Sequence, residues 1–255
     1  MSAEFFGMPL EPNGGRYQQM NYFSASSVRN FMHLLPLRFI YGRIRRRFGD
    51  RGIKHAADVG CGDGIFLPAL SRISSGVVYA VDSDAERLRS VRRMKLAKVH
   101  VCKTDAEYTG IPDAHLDCLV CLETLEHVSD PKNVISEMRR ILASDGVMYV
   151  SVPVEIGMSV VCKTVMRRLL GYACGHDTAY GRRELWEAFR GRPDTAYHRV
   201  HLEHKGFDYR SIMVMLRQGG FKLTHVWFFP FFLRPLAQRV IVECAIDSKG
   251  SGGLQ

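Results

Sequence analysis

Apolar and polar positions follow two rhythms along this chain. Short apolar runs recur at 56–59, 77–81, 99–102, 115–122 and 147–152, and each is closed within a few residues by Gly60, Asp82, Asp105, Glu123 or Pro153. Between them, 65–73, 85–96 and 131–142 repeat apolar residues every three or four positions, as amphipathic helices do. Asp130 is placed to cap the last of these, with Pro131 at its first position. Alternation at this pace predicts a doubly wound α/β fold, a mostly parallel sheet with helices on both faces. Ser144, Asp145 and Gly146 read as the turn before the fifth strand. Residues 207–218 read as a further helix stopped by Gly219 and Gly220. Residues 221–228 and 239–245 alternate around a connector and predict a closing hairpin with an antiparallel last strand.

The flanks break the rhythm. Residues 1–22 are rich in Gly, Pro, Asn and Gln and read as an irregular arm. Residues 24–47 show helical spacing interrupted near Pro36, which predicts two helices, the second basic. Residues 154–205 are polar and basic with helical patches, and read as an insertion. The expected organisation is an arm and helices over 1–50, a main domain over 51–247 carrying that insertion, and a disordered Gly/Ser tail over 248–255.

Composition narrows the class. The chain has 255 residues, 46% apolar and 24% charged, which excludes disordered, collagen-like and coiled-coil chains. No apolar run approaches the ~20 residues of a membrane span. The first twelve residues contain Glu4 and no Lys or Arg before an apolar core, unlike a secretory signal. A cytoplasmic location is expected. Seven cysteines are scattered, and Cys118 and Cys121 lie three apart in an apolar run. On a strand they point to opposite faces, so buried, inert thiols are expected. The net charge of +9 is clustered at 43–47, 87–98, 163–168 and 182–183, which suits an anionic partner or solvated helix faces.

Asp58-Val-Gly60-Cys-Gly62-Asp-Gly64 follows the first strand of the alternation. Glycines there let a ligand approach the backbone, in the crevice where doubly wound sheets hold nucleotides. A Gly-x-Gly-x-x-Gly fingerprint would need glycine at position 65, which is Ile65. No Gly-Lys-Ser/Thr follows, so a P-loop is excluded. Asp58 suits a cationic ligand better than a pyrophosphate. Asp82, closing the second strand, can accept hydrogen bonds from ribose hydroxyls. An adenosine with a positively charged tail, S-adenosyl-L-methionine, meets these conditions.

The sequence resembles the class I S-adenosylmethionine-dependent methyltransferases. Residues 58–64 match the family's first motif, Asp82 the acidic residue after strand two, Asp105-Ala106 the pair after strand three, and residues 118–127 the fourth-strand motif. The resemblance covers 52–152 and 204–245. It implies a seven-stranded Rossmann-like sheet and a cofactor site of Asp58, Gly60, Cys61, Gly62, Gly64, Asp82, Ser83, Asp105, Ala106 and Cys121.

The acceptor side is less determined, because a sulfonium methyl is already activated and alignment is much of the work. No Pro-Cys pair supports cytosine C5 chemistry, and Glu123-Thr-Leu-Glu126-His127 stands where amino methyltransferases of bases carry Asn/Asp-Pro-Pro-aromatic. On a helical turn Glu123, Glu126 and His127 would share one face, a half-site for a divalent cation. This pattern resembles that of quinone-biosynthesis O-methyltransferases and small-RNA 2′-O-methyltransferases. It implies Glu123 and His127 as catalytic, and a Mg2+ or Mn2+ site of Glu123, Glu126, His127 and His204, with His198 or His201 as substitutes for His204. Val161, Val165 and Leu169, with Lys163, Arg167 and Arg168 beside them, read as a lid helix or as a face resting on anionic membrane. The expected function is O-methylation of a small or lipid-like molecule. The alternatives are an RNA 2′-O-methyltransferase, disfavoured by the lack of a recognisable RNA-binding module, and a non-catalytic cofactor-binding partner subunit.

Overall fold

A computed structural model describes residues 3–170, 181–191, 207–230 and 234–247. The chain opens with an antiparallel hairpin, β1 (Ala3–Phe5) and β2 (Met8–Leu10), then α1 (Arg16–Asn21) and α2 (Ser27–Phe48). The alternating region gives β3 (Ala56–Val59), α3 (Leu67–Ile73), β4 (Val78–Asp82), α4 (Ala85–Arg93), β5 (Val99–Lys103), β6 (Leu116–Leu122), α5 (Pro131–Ile141) and β7 (Leu142–Pro153). After it come α6 (Met158–Leu170), α7 (Arg182–Phe189), α8 (Tyr209–Gln218), β8 (Phe221–Phe229) and β9 (Arg239–Ile246).

Seven of these strands form one sheet in the order β5-β4-β3-β6-β7-β9-β8. Strands β3 to β7 are mutually parallel, and β9 is antiparallel to both neighbours. The order reverses between β3 and β6, so a crevice opens at the carboxyl ends of the strands there. Two buried clusters cover the two faces. One takes Val134, Ile135, Met138 and Ile141 of α5 with Ile212 and Leu216 of α8. The other takes Leu37, Ile40 and Ile44 of α2, Leu67 and Leu70 of α3, and Leu88 and Val91 of α4. Cys118 lies in the second cluster and Cys121 in the first, so the strand separates the two thiols. Burial raises both thiol pKa values. Asp130 caps α5 by accepting from the Lys132 amide at 2.9 Å, and Pro131 opens the helix.

Three expectations are corrected. Residues 27–48 are one helix, and Pro36 stays inside it. A proline there costs about 3 kcal/mol. Burying Leu34, Leu37, Ile40, Tyr41 and Ile44 returns about 1.5–3 kcal/mol per large apolar side chain, which outweighs it. Residues 144–146 do not precede β7 but bulge within it, between the pairs Leu116–Leu142 and Cys118–Val147. Gly146 is needed in that bulge, because a Cβ would stand 2.8 Å from the Leu116 carbonyl. The amino-terminal arm is ordered into the hairpin and α1, with Met8 and Leu10 buried. Among the described residues no helix is long and apolar enough to cross a membrane.

Candidate functional site

A cleft of about 1640 Å³ opens at the carboxyl ends of the parallel strands. One wall is the loop after β3. Gly60 and Gly62 hold φ of 77° and 54°, a left-handed region that side-chain-bearing residues avoid. A Cβ on Gly60 would stand 2.3 Å from the Thr124 side chain, so this glycine packs the loop against the end of β6. A Cβ on Gly62 would meet only the tip of Arg87, at 3.7 Å. The space beside Gly62 is therefore open toward the cleft. Asp82 braces the loop, its Oδ2 accepting from the Gly62 amide at 2.8 Å. Its Oδ1 accepts from the Asp84 amide at 2.8 Å.

Asp58 is buried at the end of β3 and lines the cleft. Burial, with the Asp82 carboxylate adding to it, pushes its pKa up to about 7. A cationic ligand would relieve both effects. Cys61, Ser83, Asp105 and Ala106 also line the cleft. Gly64 and Cys121 are not among its lining residues. Gly64 packs toward Leu67 and Val91, and Cys121 is fully buried in the sheet. The cradle thus fits an adenosyl ligand carrying a positive charge. It offers close backbone approach, an acidic side chain at the end of β4 and a buried carboxylate whose charged form is disfavoured by burial and by Asp82.

The acceptor side departs from expectation. Residues 123–127 form a bend and turn, not a helix, so Glu123, Glu126 and His127 do not share a helical face. Glu123 adopts φ of 52°, a strained conformation for a residue with a side chain. Its Oε1 accepts from the Ser151 hydroxyl at 2.8 Å, and it lines the cleft, as does His127. Glu126 is buried behind that wall, and burial together with Glu123 raises its pKa well above the usual range. Among the described residues no three His, Cys, Asp or Glu side chains are grouped to hold a metal ion. His198, His201 and His204 lie outside the described residues, as do the side chains of Arg167, Arg168 and Leu169.

Several cleft residues carried no signal in the sequence. Tyr17, Gln18 and Tyr22 come from the arm, His33 from α2, and Arg239 from the start of β9. His33 sits edge-on to Tyr22, with ring centroids 5.8 Å apart. Burial, and then the Arg239 charge, lowers its pKa to about 4. It is therefore a neutral imidazole. Lys163, expected on an outer basic face, turns inward. It donates to Glu155 Oε1 at 2.7 Å and to the carbonyls of Val154 and Gln238 at 2.9 and 3.1 Å, tying α6 to the ends of β7 and β9. Arg43 likewise leaves the basic cluster of α2 to pair with Glu243 at 3.1 Å. Apolar walls from Met32, Pro36, Leu37 and Ile40 face this polar end.

Residues 57–150 match the model of a family described as a methyltransferase domain. A ubiquinone biosynthesis O-methyltransferase of Haemophilus ducreyi is 33% identical over 147 residues, covering 53% of this chain and 61% of that protein. One from Klebsiella pneumoniae is 32% identical over 120 residues, covering 46% and 48%. The chain thus spans about half to three-fifths of the length of these relatives. Among solved structures, the magnesium protoporphyrin IX methyltransferase of Synechocystis superposes with a TM-score of 0.56 at 14% identity, covering 87% of this chain and 88% of that one. The [4+2]-cyclase SpnF superposes with a TM-score of 0.53 at 15% identity, covering 82% and 80%. These likenesses show the fold alone, and the cyclase makes clear that the fold by itself does not name a reaction.

Proposed function

From a chain whose body is a class I S-adenosylmethionine-dependent methyltransferase domain, we infer an enzyme that methylates a hydroxyl oxygen of a small or lipid-like acceptor. The observation that carries this reading is one continuous cleft with two chemistries. It is lined both by a glycine cradle with Asp58 and Asp82 and by apolar side chains of α2 together with Glu123 and His127. The named relatives act as O-methyltransferases in ubiquinone biosynthesis, which supports an oxygen acceptor on an apolar molecule.

When bound, S-adenosyl-L-methionine would supply a sulfonium methyl to an acceptor oxygen in line, the O–CH3 bond forming as the S–CH3 bond breaks and adenosylhomocysteine leaves as a neutral thioether. The chain's residues then have three tasks. Asp82 and the loop amides hold the adenosyl portion, and Asp58 balances its positive charge. The wall of α2 and the arm excludes water from the cleft. Glu123 and His127 line the cleft after the end of β6, and we assign proton removal from the acceptor hydroxyl to them. Glu123 is oriented for this by the Ser151 hydroxyl. We do not extend the reading to Mg2+ or Mn2+, because Glu126 lies behind the cleft wall and the turn does not align the three side chains.

An acceptor of this kind is reached most directly from a bilayer surface. Phe6, Met20 and Phe31 are exposed on the arm and α2, which also carry the exposed Arg16 and the half-buried Arg29. The test of the function is methyl transfer from radiolabelled S-adenosylmethionine to a panel of phenols and polyprenylated phenols, with RNA as comparison. Label entering an apolar extract supports the reading, and label in RNA alone overturns it.

A further inference from the structure

Helix α1 has six residues, too few to stand without outside support. Its N-cap is Gly15, which has no side chain to accept the first free amides. The cap comes instead from the glycine loop. Asp63 Oδ2 accepts from the Tyr17 amide at 2.9 Å and from the Gln18 amide at 3.2 Å. The main-chain carbonyl of the same residue accepts from Asn13 Nδ2 at 2.6 Å and Gln18 Nε2 at 2.8 Å. Asp63 is only 6% exposed. A Cβ on Gly15 would stand 2.4 Å from its Oδ2, so the carboxylate occupies the place where a local capping side chain would be.

Asp63 lies between Gly62 and Gly64, in the wall assigned to the cofactor. The helix it caps carries Tyr17 and leads into Tyr22, which packs against His33 on the acceptor side. We propose that Asp63 is a positioning residue. Its carboxylate caps α1 in trans, so that setting the glycine loop around the cofactor also sets the helix that roofs the acceptor. A negative charge at a helix N-terminus is favourable in its own right, which suits Asp to the task. This inference rests on the proposed cofactor site.

The test is hydrogen–deuterium exchange on the full chain, with and without adenosylhomocysteine, in the wild type and in Asp63→Ala, Asp63→Asn and Gly15→Ala. In the wild type the ligand should slow exchange over residues 13–22 by about tenfold or more. Asp63→Ala and Gly15→Ala should leave that segment in fast exchange with or without ligand, while residues 116–122 stay as protected as in the wild type. Asp63→Asn keeps an acceptor oxygen and should restore part of the protection. Calorimetry should show adenosylhomocysteine still binding to both alanine variants, weakened by no more than the same factor, because the coupling is reciprocal. Wild-type binding, with an arm whose exchange ignores either Asp63 or the ligand, overturns this inference alone. No binding to the wild type overturns the function reading, and the coupling with it.

Discussion

The two sides of the cleft are built in different ways. The cofactor side is local: β3, its loop, β4 and the end of β5 supply Asp58, Gly60, Gly62, Asp82 and Asp105 within fewer than fifty residues. The acceptor side is assembled from afar. Tyr17 and Tyr22, His33, Glu123, Lys163 and Arg239 come from five separate parts of the chain. A site written in one stretch can be read from spacing, because backbone conformation and strand ends fix its geometry. A site made by packing distant segments cannot, since no spacing encodes which side chains meet.

The sharpest way to break the local side is at Gly60. In Gly60→Ala the methyl would meet Thr124, and left-handed strain of about 1–2 kcal/mol adds to that clash. Adenosylhomocysteine binding should fall by about a hundredfold or more, and the unfolding midpoint should drop. Gly62→Val separates the two causes. Its side chain enters space the protein leaves open, so the fold should survive while binding is lost, as calorimetry and thermal unfolding together would show.

Asp82→Ala should come next. It removes the expected ribose hydrogen bonds and also the brace on the Gly62 amide. Hydrogen bonds to a charged acceptor are worth about 1.5–3 kcal/mol each, so affinity should fall at least about tenfold.

Legibility followed the same division. The alternation predicts the parallel core and the closing hairpin, because strand and helix periods are local properties, while the count of seven strands comes from the family resemblance. Spacing predicts a break at Pro36 and the chain shows none, because tertiary burial of α2, which no local rule measures, outweighs the lost hydrogen bond. The arm looked irregular because α1 lacks a cap of its own; the cap is Asp63, 48 residues beyond Gly15. The Glu123–His127 turn was read as helical from spacing that fits a helix, yet the chain leaves β6 through a left-handed residue.

Asp58 gives the pH signature of the local side. Burial raises its pKa to about 7, so the unliganded fold binds a proton between the ordinary carboxylate range and pH 7. The burden of the buried charge is relieved as pH falls through that window, and it is fully present above 7. Cation binding requires the charged form and so opposes protonation. S-adenosylmethionine affinity should therefore be about tenfold weaker at pH 6 than at pH 8, and Asp58→Asn should flatten that dependence. Titrations in buffers of different ionisation enthalpy would reveal the released proton.

The smallest expected effect concerns the remote side. Excess EDTA should change adenosylhomocysteine affinity by less than about twofold, because no metal-binding residue type is needed in the cradle beyond those already engaged with the ligand. A loss of turnover in EDTA, with binding intact, would place a cation among Glu123, Glu126, His127 and His204.

The most direct test is a calorimetric titration of the wild-type chain with adenosylhomocysteine, paired with an identical titration with NAD. Adenosylhomocysteine should saturate the chain one-to-one, and NAD, whose pyrophosphate would face Asp58, should give no heat of binding. A failure to saturate with adenosylhomocysteine, or a preference for NAD, would contradict the assignment of the glycine cradle to an adenosyl ligand with a positively charged tail.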